Sequence, residues 1–190
     1  GKAMGIAGAG NSGTVLAAIF APGLAHLFGW QNVFGLALIP LSITLIVFML
    51  LARNAPSRPA PKALADYAHA LRDADSWWFM FFYSVIFSGF IGLASALPGY
   101  FSDQYGLNPV TAGYYTAACV MAGSLMRPLG GALADRIGGI RALLYMYGIA
   151  AVCIAVVGFN LPSSWAALAF FVAAMLGLGT GNGAVFQLAP

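Results

Sequence analysis

Apolar runs of about 20 residues, the length of a helix that crosses a bilayer core, recur from one end of the chain to the other. Six stretches meet that length: about 3–27, 33–52, 76–101, 109–134, 142–160 and 163–188. The links between the first and second, third and fourth, and fifth and sixth are only a few residues long, so these neighbours read as antiparallel hairpins. Pro162 stands at the start of the last stretch, a common place for proline at a helix N-terminus. The pattern predicts an all-α fold, a polytopic transmembrane helix bundle with six spans.

One link breaks the rhythm. Residues 53–75, RNAPSRPAPKALADYAHALRDAD, are proline-rich at first and so extended. Leu64, Ala68 and Leu71 then fall at helical spacing, which suits a short helix on the membrane surface. An ordinary polar linker fits equally well. Either way this is the one boundary between two bundles, with 1–52 on one side and 76–190 on the other.

Composition sharpens the picture. The chain is 61% hydrophobic and 7% charged, where soluble domains carry about 25% charged residues. Its formal charge of +3 is too dilute to suggest nucleic acid. The placement of the charges says more. If the spans alternate, Lys2, Arg53, Arg58, Lys62, Arg72, Arg136 and Arg141 share one side, and the opposite loops hold no Lys or Arg. Positive residues accumulate on the cytoplasmic side, which predicts cytoplasmic placement for both ends, the 53–75 link and the 135–141 turn. The absence of an initiating Met and of polar tails suggests an internal piece of a longer polypeptide. Cys119 and Cys153 lie in apolar runs without a C-x-x-C pair and read as small core residues.

The candidate chemistry gathers around Arg127, the one charged residue inside a long apolar run. On insertion scales an arginine at a membrane helix centre costs about 2.5–3.5 kcal/mol. Two readings stand. Its stem allows the head to snorkel to the interface, or the guanidinium is buried and holds an anion. Pro128 leaves the Ser124 carbonyl without its helix donor and predicts a bend; such backbone is tolerated in membranes where it is buried in protein or lines a cavity.

Depth follows from counting. At about 1.5 Å per residue, Arg127 lies roughly 12 Å from the charged side, Asn11 roughly 13 Å and Tyr83 about 10 Å, with Phe87 one turn deeper. Asn182, about 28 Å from the other face, falls near the same layer. Tyr83 and Phe87 also read as plain packing aromatics, and Asn182 and Gln187 as interhelical hydrogen bonds worth about 0.6–2 kcal/mol. Gly5, Gly8, Gly10 and Gly13, and again Gly177, Gly179, Gly181 and Gly183, allow close helix packing. Yet GAGNSGT and GTGNGAV each carry an asparagine that packing does not require.

The chain has no glutamate, and its aspartates (66, 73, 75, 103 and 135) sit at or outside the ends of the apolar runs. An arginine among amides and hydroxyls favours an anionic ligand, since its planar fork meets flat oxyanions with two parallel bonds. No phosphate-binding glycine loop, metal-ligand spacing or nucleophile–base pair appears, and His26 and His69 near the surfaces form no site. An enzyme is the weaker class, and neither cofactor nor metal is expected.

Four stretches carry a family resemblance. GGALADRIGGIR (130–141) resembles the loop signature of the major facilitator superfamily. GIAGAGNSGT (5–14) resembles the glycine-rich signature in the fifth helix of nitrate/nitrite porters within that superfamily. FFYSVIFSGFIGLASALPGYF (81–101) is similar to their seventh helix, MRPLGGALADRIGG (126–139) to the end of the eighth, and GLGTGNGAVFQLAP (177–190) to the tenth. The resemblance implies a partial major facilitator fold, helices five to ten of twelve. Residues 1–52 would then end the N-terminal bundle, 53–75 form the cytoplasmic inter-bundle loop, and 76–190 open the C-terminal bundle.

It further implies a carrier of nitrate by alternating access, with nitrite an open second substrate, in the bacterial inner membrane. Arg127 corresponds to the anion-clamping arginine, Tyr83 and Phe87 to the seventh-helix aromatics, and Asn11 to the signature asparagine. Gly8, Gly10 and Gly13 would form a flexible face, and Gly181, Asn182 and Gly183 its counterpart in the tenth helix. Gly131, Asp135, Arg136, Gly138 and Arg141 match the cytoplasmic loop motif, expected to latch that side. That motif usually has adjacent basic residues, whereas Arg141 stands alone after Ile140. The alternative is another facilitator, for organic anions or proton-coupled drug efflux.

Overall fold

A computed structural model of the chain describes residues 13–53 and 71–185. Six helices make up nearly all of them: α1 Gly13–Phe28, α2 Trp30–Leu51, α3 Ala74–Tyr105, α4 Pro109–Ile137, α5 Gly139–Val157 and α6 Ser164–Val185. Helices α2 to α6 are long and apolar enough to cross a membrane, and α1 is a shorter apolar helix. No strand occurs among the described residues. The start of the first predicted span, and the surface helix suggested within 53–75, lie outside the described residues.

Helix ends differ from the apolar boundaries for local reasons. Helix α3 runs to 32 residues, because its polar ends, including Asp75 and Asp103, continue the same backbone ladder beyond the apolar run. The stretch 135–141, expected as the turn between two spans, is helical on both sides of Gly138. Gly138 has φ 88°, a conformation that suits glycine. Its N–H donates to the Ala134 carbonyl (2.9 Å), and its own carbonyl accepts from the Ala142 N–H (3.1 Å). One residue thereby closes α4 and opens α5. At the other end of α4, the Asn108 side chain accepts from the Thr111 N–H at 2.9 Å and Pro109 takes the first turn. Pro128 sits inside α4, and the helix continues through it. Helix α6 begins two residues after Pro162 rather than on it.

Helix α6 is the hub. It packs on α3, α4 and α5, most extensively on α4; α1 lies on α4, and α2 on α1. Glycines make the α4–α6 seam possible. A Cβ at Gly179 would overlap the Gly123 carbonyl, one at Gly183 the Arg127 carbonyl, and one at Gly130 the Thr180 carbonyl. At Gly123 it would stand 2.5 Å from the Met175 carbonyl oxygen and 2.6 Å from the Phe90 ring. In lipid there is little hydrophobic force between helices, so van der Waals contact at this range carries their association. Helix α2 has no buried residue and is predominantly apolar, as suits a surface facing lipid or further helices.

The apolar interior is split in two. The cluster nearer the 105–109 and 158–163 links includes Phe90, Leu97, Phe101, Val120, Phe171, Met175 and Leu178. Its rings meet edge to face, Phe101 with Tyr115 at 5.1 Å and Tyr100 with Phe171 at 5.1 Å. Tyr105 donates its hydroxyl to the Leu161 carbonyl at 2.8 Å and ties α3 to the α5–α6 link. The cluster nearer the charged turn is smaller: Ile86, Ala134, Ala142, Leu143, Ala184 and Val185. On α4 the two are separated by residues 121–133, and Arg127 falls in the middle of that gap.

The seam makes a stability prediction. Gly179→Leu, which inserts a side chain where backbone already stands, should destabilise the folded protein by at least the roughly 1–3 kcal/mol typical of overpacking. Gly92→Leu, where a Cβ meets nothing within 4 Å, should leave it near wild type. Thermal unfolding in detergent distinguishes them; equal melting temperatures for both variants would contradict the seam.

Candidate functional site

Arg127 projects into the protein. It is 2% exposed and is the largest of the fully buried side chains. Its guanidinium carbon lies 4.8 Å from the centre of the Phe90 ring. An arginine over an aromatic face gains cation–π attraction, which strengthens when desolvated. The snorkelling alternative therefore fails: the head is engaged by α3 inside the bundle rather than at its rim.

Helix α3 supplies the opposite wall. Tyr83 lies within electrostatic range of Arg127. Its ring stacks on Phe79 one turn before, at 6.3 Å and 13°, and on Phe87 one turn after, at 5.4 Å and 11°. Residues four apart share a helix face, so the three rings form a ladder that holds the phenol in place. Tyr147 of α5 donates its hydroxyl to the Phe82 carbonyl at 2.9 Å and fixes the neighbouring turn of α3.

Helix α6 closes the third side. Asn182 is 2% exposed, and the next residue, Gly183, lies against the Arg127 carbonyl. The glycines around it are filled with contacts: a Cβ at Gly181 would stand 2.7 Å from Ile86 Cδ1, and one at Gly183 would be 2.9 Å from the Gly131 nitrogen. Close packing therefore accounts for these two glycines. Around Gly13, by contrast, a Cβ would meet nothing within 4 Å.

Of the residues singled out in the sequence, Arg127 and Tyr83 come together, Phe87 stacks on Tyr83, and Asn182 is buried beside the α4 backbone. Asn11, Gly8 and Gly10 lie outside the described residues. In the loop motif, Gly131 is buried in the seam, Asp135, Arg136 and Arg141 are exposed, and Gly138 makes the helix break. Two residues went unnoticed as site residues. Phe90 lies seven residues after Tyr83, two turns along the same face, and that spacing was a usable signal. Ser124, three residues before Arg127, is fully buried; in the sequence only its carbonyl, four residues before Pro128, stands out.

The family model of the Major Facilitator Superfamily matches residues 1–190. The chain belongs to this superfamily of carriers. With its apolar spans, it is an integral membrane protein. It is similar to the "Probable nitrate/nitrite transporter NarK2" of Mycobacterium tuberculosis, 35% identical over 98% of this chain and 48% of the relative. It is also similar to the "Nitrite extrusion protein" of Bacillus subtilis, 28% identical over 100% of this chain and 48% of the relative. The "Probable nitrate/nitrite antiporter NarK1" of Thermus thermophilus is 30% identical over 78% of this chain and 37% of the relative. The chain thus spans about half the length, or less, of these curated relatives. No solved structure gives a significant match.

The Arg127–Phe90 contact is open to a double-mutant cycle. Phe90→Leu keeps apolar bulk and removes the ring face. It should cost about 1–2 kcal/mol of stability with Arg127 present, and less once Arg127 is replaced by Met. Denaturation of the four proteins in detergent yields the coupling; strictly additive losses would show that the ring only fills space.

Proposed function

We propose that the protein containing this chain carries nitrate, and nitrite with it, across the bacterial inner membrane by alternating access. The observation that carries this reading is the burial of Arg127 over the Phe90 ring, with Tyr83 within electrostatic range. A guanidinium there offers a planar fork suited to a flat oxyanion, and surrounding apolar rings raise the strength of any charge-assisted bond it makes. Relatives named for nitrate and nitrite support the choice of anion. Carriage of organic anions, or proton-coupled drug efflux, has no comparable support.

In this reading Arg127 binds the anion, Tyr83 donates its hydroxyl, and Phe87 forms an apolar wall while holding the Tyr83 ring. Asn11 is a further donor from the start of the first span. Residues 1–52 close one bundle, 53–75 link it to the next, and 76–190 begin the second. The α4–α5 corner lies on the cytoplasmic side, where Asp135, Arg136 and Arg141 latch the closed carrier. The role is that of a carrier with no catalytic residues and no cofactor.

Arg127→Lys separates charge from shape. Lysine keeps the charge but is a compact, strongly hydrated donor without the fork. Losing one charge-assisted bond costs about 1.5–3 kcal/mol, or roughly ten- to hundredfold in apparent affinity. Nitrate uptake by cells with matched membrane levels of the native polypeptide carrying each version should show that loss, and near-wild-type uptake by the lysine variant would remove Arg127 from the site. Orientation has its own check. Cysteine at Arg141 should react with an impermeant maleimide only from the cytoplasm, and cysteine at Asp103 only from outside; the reverse pattern would invert the topology.

A further inference from the structure

Two buried polar groups near Arg127, along the chain or across the seam, have no hydrogen-bond partner among the described residues. One is the Ser124 hydroxyl, three residues before it in α4; the other is the Asn182 amide nitrogen, next to Gly183, which lies against the Arg127 carbonyl. Ser124 is 0% exposed and Asn182 2%. Leaving such a donor unmet inside a protein costs about as much as a full desolvation penalty, so a polar ligand entering this layer gains by meeting it.

Ser124 stands apart from its own kind. Thr44, Ser88, Ser95, Thr116 and Thr180 each donate to the carbonyl four residues back in their helix. That is the usual refuge of a hydroxyl in an apolar helix, and Ser124 does not take it. Pro128, which has no N–H, also leaves the Ser124 carbonyl without a helix donor. Ser124 thus combines an unpartnered hydroxyl with a carbonyl that lacks its usual helix donor, one turn before Arg127 in α4.

Asn182 reaches the same layer from α6. It lies two turns after Met175 and shares its face; the Met175 carbonyl and the Phe90 ring both lie close to Gly123, one turn before Arg127. The contacts of Gly179 with Gly123 and of Gly183 with Arg127 lock the α6 register against α4. The amide therefore cannot slide away to another partner without opening the seam.

We infer that Ser124 and Asn182 form a second donor set for the substrate oxyanion, meeting the oxygen that the Arg127 fork leaves over. This rests on the reading of Arg127 as the anion-binding residue. A trigonal anion has three oxygens; the planar fork takes two in parallel, and the third is met by the amide and the hydroxyl. A bent, two-oxygen anion seated on the fork has no third oxygen to offer this pair. The pair therefore sets the preference for nitrate over nitrite.

The test is uptake kinetics for both anions, at matched membrane levels, in the native polypeptide carrying this sequence. Asn182→Ala and Ser124→Ala should each raise the nitrate KM about tenfold with maximal rate little changed, and the nitrite KM by less than about threefold. Ser124→Thr, which keeps the hydroxyl, should restore wild-type discrimination. Equal losses for the two anions, or unchanged nitrate KM in both alanine variants, would overturn the inference while leaving Arg127 in place. If the alanine variants reach the membrane poorly, Asn182→Ser and Ser124→Thr carry the test through the ratio of the two KM values, which a structural defect does not move; an altered ratio in Asn182→Ser supports the inference and an unaltered one overturns it. Wild-type protein that moves neither anion would instead overturn the proposed function, and this inference with it.

Discussion

A single guanidinium must be kept inside a bundle that has almost nothing else charged to offer it. Transfer of an arginine to the membrane interior is costly by any scale, and the fold meets that cost by surrounding Arg127 with oriented partners. Phe90 presents its ring face at 4.8 Å, and Tyr83, braced between Phe79 and Phe87, brings its phenol within electrostatic range. The apolar interior yields at this level, dividing into a larger cluster on one side and a smaller one toward the charged turn. The layer between them is where a polar ligand can sit without dismantling the core.

Holding that layer depends on the glycine seam. Helices in lipid cannot rely on water to press them together, so precise backbone contact takes over. Gly123, Gly130 and Gly131 of α4 meet Gly179, Thr180 and Gly183 of α6 at backbone range. Two of these contacts fall within a turn of Arg127, and one is made to its own carbonyl. The seam that joins the helices therefore also fixes where the cation stands. A stiff α4–α6 pair means that rocking between inward and outward openings would move the two as one unit, with the flexing left to other contacts such as that of α1 on α4.

Much of this was legible from the order of residues. Apolar runs of spanning length announced the six helices, and a lone arginine in one of them announced the layer of interest. Counting rise per residue placed Tyr83 and Phe87 in the layer of Arg127; Tyr83 lies within electrostatic range of Arg127 and stacks on Phe87. Helix ends were less legible, because polar residues such as Asp75 and Asp103 continue a helix without continuing its apolar run. The turn at 135–141 proves tighter than its charged residues suggest: Gly130 and Gly131 before it serve the α4–α6 seam, and a single glycine at 138 makes the corner. Asn182 was visible, but its lack of a partner was not, since hydrogen bonding between distant helices is a property of the packing. The same holds for Ser124, whose neighbours in sequence gave no reason to expect that it would forgo the carbonyl behind it.

The claim on which the rest depends is that this buried arginine serves a planar oxyanion. Counterflow in proteoliposomes puts it to the most direct test. Vesicles containing the purified native polypeptide, loaded with unlabelled nitrate, should take up isotopically labelled nitrate in a transient overshoot. External nitrite should compete with that overshoot, and a drug-like organic cation should not. Absence of an overshoot from folded, correctly inserted protein, or competition by the organic cation and not by nitrite, would contradict it.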